Sequence, residues 1–152
     1  MKSYEYRHTV VFEETNVVGN VYFANHLRWQ GHCRELFLCE HAPDILEQLA
    51  KNLRLVTLRC SCEYLAELFA FDRVRVQMRL ESMVQNRIAL AFEYWRGGDT
   101  GPERLVARGQ QEIACMEQRG EQLAPTPIPP RLRQALREYA ADAGILADRF
   151  TP

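Results

Sequence analysis

A chain of 152 residues with 47% hydrophobic and 26% charged residues has the size and balance of one ordinary globular domain, which excludes disordered and fibrous classes. A formal net charge of -1 removes the main electrostatic reason to expect nucleic acid as a partner. No apolar run approaches the roughly 18 residues that span a bilayer, and the first five residues lack a signal-peptide core, which predicts a cytoplasmic protein with no membrane partner.

Residues 4–12 (YEYRHTVVF) are rich in aromatic and β-branched side chains and read as a strand. Residues 13–20 carry the loop signals Thr, Asn and Gly. From 22 to about 40 runs a proline-free stretch of Leu, Ala, Arg and Glu, bounded by Pro43, which predicts a helix of about five turns. A shorter helix is expected over 44–52, with Asp44 suited to its first turn. Three long β-type runs follow: Leu53–Tyr64, residues 71–83, and Arg87–Arg96. Gln85-Asn86 suits a hairpin turn between the second and third, and the Gly-rich segment 97–102 closes the third. Residues 104–116 read as a last strand, with Gly109 marking a bulge. A cluster of Pro125, Pro127, Pro129 and Pro130 makes an extended connector before a small helix over 131–141. One long helix against one antiparallel sheet is an α+β layer architecture, and its uncovered face or edge predicts self-association.

Five cysteines, Cys33, Cys39, Cys60, Cys62 and Cys115, are an odd number whose spacing fits no zinc pattern. They read as free thiols in a reducing compartment, with no metal site.

Residues 12–29, FEETNVVGNVYFANHLRW, resemble the signature of 4-hydroxybenzoyl-CoA thioesterase-like hotdog proteins, roughly D-x-x-G-x-[VI]-[YW]-x-x-N-Y-x-x-[WF]. Gly19, Val21, Tyr22, Asn25 and Trp29 stand at the matching positions. Residues 28–38, RWQGHCRELFL, are similar to thioesterases of enediyne polyketide pathways. The resemblance implies a hotdog fold, about five strands wrapped around one central helix, as a single domain over 1–152. It also implies an enzyme that frees a polyene, β-keto acyl chain from the phosphopantetheine arm of an acyl carrier protein serving an iterative polyketide synthase. No cofactor is implied, and the expected assembly is a homotetramer built as a dimer of dimers. A non-catalytic acyl-binding chaperone and a general acyl-CoA thioesterase are the alternatives; a hotdog dehydratase is weaker, since its helix His with a carboxylate partner is not evident.

The resemblance places Asn16 where commoner members carry a catalytic aspartate. A carboxamide cannot act as a base at neutral pH, but it can hold a water or donate to an oxyanion; it also suits an Asx-turn. Gly19 and Asn20 precede the helix, where backbone N–H groups and the dipole favour a developing oxyanion, though Gly19 equally suits a turn. Arg34 falls where the family helix faces the substrate, as an oxyanion partner. His26 replaces the usual tyrosine and joins the catalytic candidates, while Glu35 is the rival base. Glu13 and Glu14 read as solvated. Tyr22, Asn25, Phe37, Leu65 and Phe69 are the substrate-binding candidates, with Leu36, Leu68 and Phe71 as further channel walls. Arg54, Arg59, Arg73, Arg75, Arg79 and Arg87 supply a basic mouth for an acidic carrier protein.

Overall fold

A computed structural model describes residues 2–98 and 101–140. Alternation decides the strands. In β3 (Arg73–Val84) the side chains of Val74, Val76, Met78 and Leu80 are buried at every second position, and in β4 (Arg87–Arg96) those of Ile88, Leu90, Phe92 and Tyr94 are. With β1 (Tyr4–Thr9), β2 (Leu53–Tyr64), β5 (Arg104–Arg119) and β6 (Gln122–Pro125) they form one antiparallel sheet. The order is β1-β3-β4-β5-β2, with β6 paired to β5.

Against this sheet lies α1 (Ala24–His41), followed by α2 (Pro43–Leu49), which has proline in its first turn, where a missing N–H costs nothing. A third helix, α3 (Pro130–Arg137), closes one end of the core with Leu132 and Leu136. The inward stripe of α1 is mixed: Trp29, Cys33 and Phe37 recur every four residues, and His26 and Gln30 are buried beside them. Each fully buried large apolar side chain here stabilises the fold by about 1.5–3 kcal/mol. A helix that buries a histidine and a glutamine in that stripe accepts a cost that packing alone does not require.

The α+β arrangement is as expected, and β2, β4 and the turn at Gln85, with φ of 55°, fall where the sequence places them. Other boundaries move. The first strand stops at Thr9, because residues Phe12–Glu14 wind into a short 3-10 turn. The third begins at Arg73, after a tight turn in which Phe71 has φ of 71° and the Asp72 carboxylate accepts from the Phe69 N–H at 2.8 Å. β5 continues to Arg119, turns at Gly120 and pairs with β6, a strand the proline-rich composition concealed. Gly109 is not a bulge, since it pairs in regular register with Cys62 and Phe92. The last helix ends at Arg137, four residues short of expectation, and Ala141 lies outside the described residues, as do Asp99 and Thr100 of the Gly-rich turn.

All five cysteines are free thiols. Burial pushes Cys33 up to about 12 and Cys115 up to about 11, so neither is nucleophilic. Among the described residues no helix is long and apolar enough to cross a membrane.

Candidate active site

The loop between β1 and α1 is closed on itself. The Asn16 N–H donates to the Asn20 carbonyl and the Gly19 N–H to the Asn16 carbonyl, both at 2.9 Å, and Gly19 takes a φ of 94°. That left-handed conformation, rather than close approach, is why glycine stands there, for a Cβ would meet nothing within 4 Å. The Asn16 Oδ1 accepts from the Val18 N–H at 3.0 Å, forming the Asx-turn, and its amide nitrogen has no hydrogen-bond partner among the described residues. Gly19 and Asn20 were expected to present free N–H groups at the helix start. For Gly19 the structure corrects this: its N–H is spent in the turn, and α1 begins only at Ala24.

Glu14 overturns its expectation most clearly. It is buried, not solvated, while Glu13 is exposed. Its carboxylate accepts from the Val11 N–H at 2.9 Å and from Trp29 Nε1 at 2.8 Å, and His8 Nε2 lies 2.7 and 2.8 Å from its two oxygens. Burial alone raises this carboxyl; the Val11, His8 and Trp29 donors outweigh it and hold the group below its usual value. The Glu14 carbonyl accepts from the Tyr22 N–H at 2.9 Å and from Asn25 Nδ2 at 2.8 Å. Asn25 is thereby a clasp between loop and helix.

Further along α1, Arg34 reaches toward the sheet. Its Nη1 donates to Thr57 Oγ1 at 3.0 Å and to Gln111 Oε1 at 3.1 Å. Gln111 Nε2 donates in turn to Gln30 Oε1 at 3.2 Å, and Gln30 Nε2 to the Ser61 carbonyl at 2.9 Å. One nitrogen of the guanidinium is thus fixed by a ladder of buried amides, leaving Nε and Nη2 as donors for another oxygen. Burial lowers the Arg34 pKa, and the neighbouring Glu35 offsets part of that; the group stays charged. Glu35 itself is exposed on the adjoining face of the helix. Beneath Arg34 opens a narrow cleft with a wholly apolar accessible lining, with about 20 Å³ of open space, walled by Phe37, Leu55, Met78, Leu90, Leu132 and Leu136.

His26 is buried between Trp29, Tyr64 and Tyr94, with ring centroids 4.8–5.5 Å away. Neither ring nitrogen has a hydrogen-bond partner in good geometry. Burial lowers its pKa to about 4, against a smaller opposing effect of the Phe23 backbone, so the ring is neutral at physiological pH.

The substrate-binding candidates divide. Phe37 lines the cleft under Arg34, whereas Tyr22, Leu65, Phe69 and Phe71 are exposed; Asn20 bridges to Phe69, and Phe71 packs against Phe12. Leu68 is core, and Leu36 is exposed. The cleft walls on β2, β3, β4 and α3 were missed, because strand alternation marks a buried side chain without saying what it faces. Four arginines of the expected basic mouth have partners within the chain. Arg75, Arg79 and Arg87 are engaged by Glu5 and Glu103, Glu93 and Glu112, and Arg54 donates to the carbonyls of Leu49, Lys51 and Leu53.

The model of the thioesterase-like superfamily matches residues 10–136, the span that holds this loop, the helix and the sheet. The chain belongs to that superfamily. It is 29% identical over 141 residues to the 1,4-dihydroxy-2-naphthoyl-CoA hydrolase of Thermosynechococcus vestitus, covering 91% of this chain and 93% of the relative. Crystal structures of the dynemicin thioesterase, which describe induced-fit and allosteric effects upon polyene binding, superpose with a TM-score of 0.89 at 50% identity. That match covers 93% of this chain and all of the other. The 4-hydroxybenzoyl CoA thioesterase of Pseudomonas sp. strain CBS-3 shares the fold, with a TM-score of 0.74 at 16% identity over 89% of this chain and 99% of its own. The sheet and helix are those of the hotdog fold, and the enzyme is a thioester hydrolase.

Proposed function

We propose that this superfamily member hydrolyses a long, unsaturated, β-keto acyl thioester carried on the phosphopantetheine arm of an acyl carrier protein, in the cytoplasm and in an enediyne-type polyketide pathway. The observation that carries the proposal is Arg34: a charged fork clamped through one nitrogen, with its other donors available, at the head of an apolar cleft. Identity of 50% to a thioesterase studied for polyene binding supports the substrate class.

Water adds to the thioester carbon and the carbonyl oxygen takes up negative charge; the C–S bond then breaks as the carbonyl reforms, and the proton given up by the water passes through solvent to the departing sulfur, leaving the free acid and the carrier thiol. Arg34 stabilises the oxyanion through Nε and Nη2, and Asn16 Nδ2 orients the water or the carbonyl. Neither residue can remove a proton at neutral pH; on this carboxylate-free reading the rate should have no acidic limb near pH 4. A β-keto acid so released loses CO₂ readily. We place the acyl chain in the cleft below Arg34, whose open space of about 20 Å³ has to widen to admit it.

Asn16 and Arg34 share no hydrogen bond, and ten residues of helix, about 15 Å, separate Arg34 from the start of α1. A second copy supplies the missing proximity. Among the described residues β2 is an edge strand of twelve residues with one side unpaired, and the loops around Asn16 and Phe69 expose Phe12, Val17, Val18, Phe23 and Phe71. Dimers formed through these surfaces, paired into a tetramer, would make a site from two chains.

The deciding experiment compares Arg34→Ala with Glu35→Ala on an acyl-carrier substrate. Loss of an oxyanion donor costs about 10²–10³ in turnover, and an exposed glutamate outside the chemistry costs little. The reverse pattern would make Glu35 the base and end the carboxylate-free mechanism.

A further inference from the structure

Resting on the reading of Asn16 as part of the catalytic loop, we infer that Glu14 is the positioning residue of that loop, acting through a hydrogen-bond chain that only a carboxylate can complete.

The two oxygens of Glu14 have different fixed donors. Oε1 takes the Val11 backbone N–H and Oε2 takes the Trp29 indole N–H. Neither donor can become an acceptor. His8 Nε2 lies within hydrogen-bond distance of both oxygens, so this nitrogen carries the proton. Its Nδ1 lies 3.1 Å from the Tyr6 hydroxyl, which lies 3.3 Å from His32 Nδ1. The chain of contacts runs from His32 on α1 through Tyr6 and His8 on β1 to the carboxylate. A glutamine in place of Glu14 has the same shape, yet its NH₂ must face either Val11 N–H or Trp29 Nε1–H. One fixed donor is left buried and opposed in either orientation.

What the carboxylate holds is the start of the loop. Glu14 stands two residues before Asn16, and its own carbonyl receives Tyr22 N–H and Asn25 Nδ2. One residue therefore joins β1, the 3-10 turn and the first turns of α1, and the segment between these anchors is residues 15–21, which carry Asn16 and Gly19. The Asx-turn keeps the loop's internal shape; Glu14 sets where that shape sits relative to the helix.

The test is a double-mutant cycle of Glu14→Gln with Asn16→Ala on the folded enzyme, following kcat and KM separately, with the Trp29 indole N–H resonance as a local reporter. The inference expects Glu14→Gln to move that resonance and to lower kcat at least tenfold with KM within about threefold. In the Asn16→Ala background the same change should lower kcat by less than about threefold. Equal factors in the two backgrounds overturn the positioning role and leave the catalytic reading of Asn16 standing. A wild-type kcat for Asn16→Ala alone removes the catalytic reading of the loop and this inference with it. Should Glu14→Gln not fold, His8 provides the second arm: His8→Gln keeps an N–H toward the carboxylate and should recover most of the turnover that His8→Leu loses. Equal losses in those two variants overturn the inference.

Discussion

Gly109 on β5 lies directly against the Gln30 amide: a methyl group at position 109 would fall 2.0 Å from Gln30 Nε2 and 2.9 Å from the Ser61 carbonyl oxygen that Gln30 bonds. Gly109→Ala must therefore push Gln30 off Ser61, and overpacking of this kind costs about 1–3 kcal/mol. A melting temperature lower by at least about 2 °C is expected. Turnover should fall too, because Gln30 carries Gln111 and Gln111 carries Arg34. An alanine variant that melts and turns over like the wild type would show that the amide ladder is not needed.

Acid should weaken the fold through His26 before it reaches the carboxylates. The imidazole titrates near 6.5 when unfolded and near 4 when folded, so between those values the unfolded chain binds more protons. Its contribution is whole above pH 6.5 and lost as pH falls toward 4, amounting to about 2 kcal/mol by pH 5. Glu14, held below the usual carboxyl value, adds a further loss only at lower pH. His26→Phe keeps a ring against Trp29, Tyr64 and Tyr94 and should shrink the stability difference between pH 7 and pH 5, measured by urea unfolding. The same difference in both proteins would discard His26 as its source.

The cleft below Arg34 predicts chain-length selectivity. Leu55 is a partly buried wall residue of a narrow cleft, so Leu55→Phe can block it with little displacement of the deepest core. We expect kcat/KM for a long acyl chain to fall at least about tenfold, within the 1–3 kcal/mol by which apolar pockets discriminate, while a short chain is cleaved as before. A uniform loss across chain lengths would place the acyl chain elsewhere.

The unpaired edge of β2 predicts an oligomer. Light scattering should give a mass of at least twice 17.7 kDa, and turnover per chain should decline on dilution below the dissociation constant. A stable monomer with full activity would remove the two-chain site.

Much of this was legible from residue order alone. β2 and β4 fall on the residues expected, β4 between the turn residues Gln85-Asn86 and Gly97-Gly98, and the 12–38 segment carried both the family and the polar residues at stake. What escaped was everything that depends on which side chains meet across the chain. Glu13 and Glu14 look alike in sequence, yet one is solvated and the other is buried, because only Glu14 faces donors 6 and 15 residues away, His8 and Trp29. The local 3-10 turn aims it there, and propensity does not announce such a turn. Gly109 was misread for the same reason. A glycine in a strand signals either an irregular backbone or a crowded neighbour, and the neighbour, Gln30, is 79 positions distant on another element.

The helix α3 closes the apolar cleft with Leu132 and Leu136, and the segment after it returns to the sheet through Tyr139, whose carbonyl accepts from the Leu80 N–H at 2.8 Å. None of these residues belongs to the loop that holds Asn16 or to the helix that holds Arg34. α3 thus contributes two walls of the cleft that can change without touching Asn16 or Arg34, while Phe37 on the Arg34 helix and Leu55, Met78 and Leu90 on the sheet are among the rest. On the proposed placement of the acyl chain, a lineage can retune the chain length it releases by drifting at Leu132 and Leu136 while residues 14–34 stay as they are.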